Sequence, residues 1–258
     1  MLSKLVKLPL FKRVIPSLGI RVLKMFNRNR GYFKISGVKM FLDFLDPIDR
    51  EIILHQNYED EEVTHLINLI KKYSITNFFD IGANCGYYSI RILREVLNID
   101  VLAYEPNQEA HYKFNKTIEI NPKYSKRLKL KNYGLSNKNS KLKMQFFKKY
   151  GYNQTGGSSV IEDLNNNIEN TFFGEFKVGD ENLNFKNQKL CFKIDVERHE
   201  IKVLEGLQNT FKSNKIIILI EIYEKNFTQV NHLLKQMGFK LEKVIKNRSN
   251  YFYSNFLD

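Results

Sequence analysis

Phe78-Phe79-Asp80-Ile81-Gly82-Ala83-Asn84-Cys85-Gly86-Tyr87-Tyr88-Ser89 decides how the rest of this 258-residue chain reads. A short apolar run, suited to a buried strand, passes straight into a turn with two glycines and then into a helix. Gly82 and Gly86 let the backbone pass close to a bound nucleoside, because neither places a Cβ in its way. The N–H groups that open the helix face a ligand carboxylate. Asp80, at the strand end, offers an acceptor to a ligand ammonium group. The spacing is not Gly-x-Gly-x-x-Gly, which argues against a dinucleotide fingerprint. Glu105 lies 19 residues beyond Gly86, at the end of the next apolar segment, where an acid can hold both ribose hydroxyls.

Outward from this stretch, strand and helix alternate. Strands are expected at 75–81, 101–104, 127–133, 190–194, 216–222, 239–244 and 251–256. Helices are expected near 87–97, 108–120 (stopped by Asn121-Pro122), 203–207 and 227–237. That alternation predicts an α/β fold: a Rossmann-like, mostly parallel seven-stranded sheet with helices on both faces. Residues 31–45 read as a hairpin with a Ser36-Gly37 turn, closed by Asp46-Pro47, and 59–73 read as a helix. Residues 136–189 are polar and too long for a plain loop, so an inserted hairpin pair is expected over the carboxyl edge of the sheet. The organisation is thus an accessory part, 1–58, and a Rossmann-like domain, 59–258.

The formal net charge of +13 favours acidic partners such as nucleic acid, anionic lipid or a phosphorylated substrate, although Lys-rich background composition explains part of it. The first thirty residues hold eight Lys or Arg and no acid, interleaved with apolar side chains. They are too interrupted to span a bilayer or to act as a signal peptide. Packing on the domain is the favoured reading for them, and peripheral contact with an anionic membrane the alternative. Cys85 and Cys191 are far apart and form no metal or disulfide pattern, which fits a reduced cytoplasmic setting, peripheral at the inner membrane face if the basic segment binds lipid.

DIGANCGYYS at 80–89, YEPN at 104–107 and FKIDVERHEIKVLEG at 192–206 together resemble the FkbM family of methyltransferases. The resemblance runs from about residue 35 to 245 and takes in GGSS at 156–159. It implies a class I fold and S-adenosyl-L-methionine as methyl donor, held by Asp80, Gly82, Ala83, Asn84, Gly86, Tyr88, Ser89, Glu105 and Pro106. The family's members mostly O-methylate hydroxyls of sugars or natural products. Its pattern Lys-x-Asp-x-Glu-Gly is met here except at the last position, where Arg198 stands. Either the backbone needs no special conformation there, or Arg198 reaches into the site as an extra cation.

Methyl transfer to an alcohol needs in-line positioning and gains from a base. The catalytic candidates are Asp195, as base or as the residue orienting the acceptor hydroxyl, Glu197 in support, and His199 as an alternative base whose competing reading is a solvated residue in the first helical turn. Glu221 with Asp195 and Glu197 could bind Mg²⁺ through oxygen, but such carboxylates more often meet backbone or basic groups, and no metal is expected. The acceptor is expected to be a hydroxyl of a sugar, glycan, glycolipid or similar small molecule. Two alternatives stand beside it. One is an RNA 2′-O-methyltransferase, using Lys193, Asp195, Glu221 and Lys225, although Lys193 should lie inside its strand. The other is an S-adenosylmethionine-binding protein that has lost turnover.

Overall fold

The computed structural model describes residues 29–56, 58–149, 152–161, 170–245 and 249–257. The basic segment read as an accessory or membrane-surface helix lies, up to residue 28, outside these. Among the described residues no helix is long and apolar enough to cross a membrane.

A hairpin comes first, β1 (Arg30–Ile35) and β2 (Val38–Asp43), turning at Ser36 and Gly37, both in the left-handed region. Asp46-Pro47 does more than close it. Pro47 occupies the first turn of a helix, α1 (Pro47–His55), and the Asp46 carboxylate caps it by accepting from the Ile48 N–H at 2.9 Å. Helix α2 (Asp60–Lys72) comes next. The core of the hairpin, Ile35, Val38, Met40 and Leu42, is continuous with Leu66 of α2 and with Phe78 and Phe114.

The alternating pattern then unfolds as expected: β3 (Asn77–Ile81), α3 (Tyr87–Glu95), β4 (Asp100–Tyr104), α4 (Gln108–Glu119) and β5 (Leu128–Lys131). After an insertion come β10 (Lys189–Ile194), α6 (Glu200–Gly206), α7 (Gln208–Lys212), β11 (Lys215–Glu221), α8 (Glu224–Gln236), β12 (Lys240–Ile245) and β13 (Asn250–Ser254). These seven strands form one sheet in the order β12-β13-β11-β10-β3-β4-β5, parallel except for the pairings of β13. β3, inside the sheet, is buried on both faces, so Phe78 enters the core on one side while Phe79 stacks on Phe192 on the other (centroids 4.5 Å apart). The chain leaves β3 toward β4 on one side and later returns to β10 on the other. That reversal opens a crevice at the carboxyl ends of β3 and β10.

The insertion is more than a hairpin pair. It is a second, four-stranded sheet of β6 (Gly134–Ser136), β7 (Ser140–Lys149), β8 (Tyr152–Val160) and β9 (Thr171–Val178), ordered β6-β9-β7-β8, with a one-turn helix α5 (Gly179–Asn182) leading back. β7 pairs antiparallel with both β8 and β9, and β9 closes against β6 in parallel. Sequence patterning missed β8 because YNQTGGSSV has no apolar alternation, and its ladder with β7 supplies the order instead.

Candidate active site

Register brings the site together. Ile220, Ile194, Ile81 and Tyr104 form one row across β11, β10, β3 and β4, so Glu221, Asp195, Gly82 and Glu105 emerge side by side at the carboxyl edge. The Asp195 N–H donates to the Ile81 carbonyl (3.0 Å) and the Gly82 N–H to the Tyr104 carbonyl (3.0 Å), which fixes the three loops to one another.

The glycines serve the protein before they serve a ligand. Gly82 has φ +77 and a Cβ there would run into the Asp195 carbonyl, while Gly86, at φ +83, faces the Phe114 ring. Close approach is therefore demanded by neighbouring parts of the fold, whatever a bound nucleoside adds to that demand. Asp80 also differs from expectation. It is completely buried, and its Oδ2 accepts from the Ser89 hydroxyl (2.6 Å) and N–H (3.2 Å), which anchors the start of α3. Its other oxygen has no hydrogen-bond partner among the described residues and lies 3.7 Å from the Lys193 ammonium. Lys193 in turn donates to the Gly82 carbonyl (2.8 Å) and pairs with Asp195 (3.2 Å). Burial opposes its charge, yet Asp195 and Asp80 hold its pKa above the ordinary lysine value. Asp80 thus reaches the cleft only through Lys193. Lys193 does lie in its strand, as the sequence suggested, but its ammonium arrives at the edge.

Glu105 is where an acid was expected. Its two oxygens accept from the Asn84 and Asn107 N–H groups, each at 2.8 Å, and burial pushes its pKa up to about 7. It borders a cavity of about 530 Å³ together with Gly82, Asn84 and Pro106, and with the apolar Leu135, Met144, Val160 and Phe176. A carboxylate for a ribose diol beside an apolar slot fits the adenosine part of S-adenosylmethionine. Asn84, Gly156, Asp195 and Glu197 also border a second cavity of about 920 Å³, lined further by Ala83, Tyr58, Tyr88, Tyr223, Glu59, Lys193 and Glu221. The two halves meet at those shared residues and form one cleft.

A sequence profile described as the methyltransferase FkbM domain matches residues 80–241, from the buried Asp80 to the sheet's last hairpin. The chain belongs to the FkbM methyltransferase family. Its domain is accordingly of the S-adenosylmethionine-dependent class. Among solved structures, the FkbM methyltransferase of Methylobacillus flagellatus superposes with a TM-score of 0.51 at 12% identity, over 82% of this chain and 53% of that one. The chain spans about half the length of that relative. A precorrin-6y C5,15-methyltransferase of Geobacter metallireducens superposes with a TM-score of 0.42 at 11% identity, over 75% of this chain and 86% of that one. At 12% identity the likeness to the Methylobacillus structure is one of fold. A search of curated proteins finds no match.

Within this FkbM domain, Asp195 and Glu197 face both halves of the cleft. Glu197 is held by the Tyr223 hydroxyl, which donates to it at 2.6 Å, and burial together with the Asp195 charge raises its pKa to about 7. Glu221 is raised further, to about 9, by burial and by the Asp195, Glu59 and Glu197 carboxylates. Glu59, which accepts from the Tyr88 hydroxyl at 2.7 Å, is raised as well, chiefly by burial. Sequence reading took Glu59 only as an acid suited to a helix start, and no local signal marks it as a cleft residue. His199 is neither a free base nor solvated. It is 9% exposed, its Nε2 lies 2.9 Å from the Ser136 hydroxyl, and burial lowers its pKa to about 4, so it is neutral and weakly basic near pH 7. Lys225 is exposed on α8 and borders neither cavity, so the two-lysine array does not assemble. Among the described residues no group of three or more His, Cys, Asp or Glu has the arrangement to hold a metal ion.

The family glycine position retains its glycine-like conformation. Arg198 sits at φ +80, directly after Glu197 at φ +49, so two side-chain-bearing residues occupy the left-handed region in succession. The guanidinium does not enter the cleft but lies over the Tyr223 ring, 5.4 Å from its centre. Arg198→Gly removes about 1 kcal/mol of backbone strain, gives up about 0.5–1 kcal/mol of cation–π contact and adds a similar cost in chain entropy. Stability measured by denaturant titration is therefore expected to change by less than about 1 kcal/mol. The Glu197 proton affinity should rise, because the Arg198 charge that lowers it is gone.

Proposed function

We propose that this FkbM domain transfers a methyl group from S-adenosylmethionine to a hydroxyl of a sugar, glycan, glycolipid or similar hydroxylated small molecule. The second half of the cleft carries this reading. Among the described residues, carboxylates and tyrosines make up half of its lining, and its one lysine, Lys193, is already committed to Asp195, Asp80 and the Gly82 carbonyl. Such walls accept hydrogen bonds from hydroxyls and repel phosphates. The sulfonium donor supplies an activated methyl group. Asp195, fixed by Lys193, orients the acceptor hydroxyl, and Glu197 takes its proton.

The net charge of +13 favours RNA 2′-O-methylation as the second reading. Labelled methyl donor, offered with cell-envelope glycans and with RNA in parallel, separates the two. Label in a glycan or glycolipid supports the proposal, and label in RNA alone overturns it. The basic, acid-free first thirty residues would bring a cytoplasmic enzyme to lipid-borne acceptors at the inner membrane face.

Glu105→Ala should weaken binding of S-adenosylhomocysteine by about tenfold or more in calorimetric titration, since a charged acceptor for two hydroxyls is lost. The unaltered protein carries its own pH signature. Because the Glu105 pKa lies at about 7, the ionised acceptor is lost as pH falls through that value. Affinity is therefore expected to decline from pH 8 to pH 6 and to become independent of pH in Glu105→Gln.

A further inference from the structure

Four buried polar residues meet where three elements come together: Asp46 and Asp49 at the start of α1, Lys113 on α4 and Thr155 on β8. The Lys113 ammonium, on α4 and only 1% exposed, has three N–H donors and three acceptors: Asp49 (2.6 Å), Asp46 (3.1 Å) and the Thr155 hydroxyl (3.1 Å). Burial opposes the Lys113 charge, yet Asp49 and Asp46 keep its pKa raised. Asp46 accepts the Thr155 N–H as well (3.0 Å), so β8 is fastened to the start of α1 and to α4. With its oxygen receiving Lys113, Thr155 has one proton to give, and its two nearest acceptors are Asp46 (2.7 Å) and Oδ1 of Asn84 in the cofactor loop (2.9 Å).

Three residues further on, the same strand makes a second clasp. Nδ2 of Asn107 donates to the Ser158 hydroxyl at 2.9 Å, and the Asn107 N–H is one of the two that hold Glu105. Asn84 provides the other. Between the clasps, a Cβ on Gly156 would stand 2.7 Å from Asn84 Nδ2 and would strike the tip of Ile48, so a side chain there must displace both. Thr155, Gly156, Ser158 and Val160 themselves line the smaller cavity. The insertion therefore forms a wall of the donor half of the cleft, at the carboxyl edge where it was expected, and Gln154 and Gly156 border the second half as well.

We propose that β8 is a clamp on the two donor-binding loops, with Thr155 and Ser158 as positioning residues that set Asn84, Asn107 and through them Glu105. The inference rests on S-adenosylmethionine occupying the smaller cavity. Cutting either clasp should loosen the Glu105 carboxylate without touching a residue that meets the acceptor's carboxylates.

The test uses the full chain and S-adenosylhomocysteine, with calorimetric affinity and amide hydrogen exchange of residues 154–161 as readouts. Thr155→Val is expected to weaken binding about tenfold, Thr155→Ser to stay within about twofold, and Ser158→Ala, which leaves the buried ion network intact, to weaken it about threefold or more. Ligand should slow exchange across 154–161 in the unaltered protein, and much less in Thr155→Val. A purely structural β8 would lower the melting temperature of the variants and leave affinity and ligand-induced protection unchanged, which overturns the clamp. No binding by the unaltered protein overturns the cofactor reading itself, and that result appears before any variant is measured.

Discussion

Gly82→Ala is expected to abolish S-adenosylhomocysteine binding and to lower the melting temperature by about 10 °C. Two independent penalties act at this residue. Its φ of +77 costs a side-chain-bearing residue about 1 kcal/mol. The larger penalty is steric, because the added Cβ would meet the Asp195 carbonyl, a backbone atom that cannot rotate aside. Asp195 is tied back to the Ile81 carbonyl, so relief requires the β3 and β10 loops to separate. Their separation would break the hydrogen bonds across that seam, from Lys193 to the Gly82 carbonyl and from the Asp195 N–H to the Ile81 carbonyl. A cost of about 3 kcal/mol or more is in the range of overpacking against backbone. Gly238→Ala provides the control. It has φ +87 but nothing within 4 Å of a Cβ, so only the conformational penalty of about 1 kcal/mol is expected. Equal melting temperatures for the two variants would show that the contact with Asp195 is not tight.

The same residue shows what the sequence could and could not convey. The Asp-x-Gly-Ala-Asn-x-Gly turn located the cofactor loop and the alternation of strand and helix gave the seven-stranded sheet, because both are local patterns with strong physical signatures. What forces Gly82 to be glycine is a contact with a residue 113 positions later, and no local pattern encodes that. Asp80 likewise read as a ligand acceptor, since a strand-end acid next to a glycine turn has that look. Its hydrogen bonds to Ser89 are made by the helix that follows β3, and its pairing with Lys193 comes from register between β3 and β10. Glu59, Thr155 and Lys113 were silent for the same reason. A lysine on a helix ordinarily faces water, and only the convergence of Asp46, Asp49 and Thr155 makes burial tolerable. Arg198 was the informative exception. Its departure from the family pattern read as either an ordinary backbone or a cation in the site, and the structure shows neither: φ is +80 and the guanidinium lies over Tyr223.

Glu197→Gln is expected to reduce the methyl-transfer rate by a factor of about 10² to 10⁴ while leaving S-adenosylhomocysteine affinity within about threefold. A base must be ionised to accept the acceptor's proton, and the Glu197 pKa of about 7 makes that state available near neutrality. The unaltered enzyme should therefore lose rate as pH falls through about 7, with a slope that Glu197→Gln flattens. Asp195→Asn tests the assignment from the other side. Asp195 contributes the second largest cause, after burial, of the raised Glu197 pKa. Neutralising it should move the acidic limb of the profile to lower pH while the maximal rate falls, because the acceptor hydroxyl is no longer oriented by a carboxylate fixed on Lys193. Glu221, raised to about 9, would give a limb at higher pH if it were the base. A limb near 9 that persists in Glu197→Gln would move the proton acceptor to β11. A fall in rate without any shift would mean that Asp195 and Glu197 do not share one field in the working enzyme, and the base would have to be sought elsewhere in the cleft.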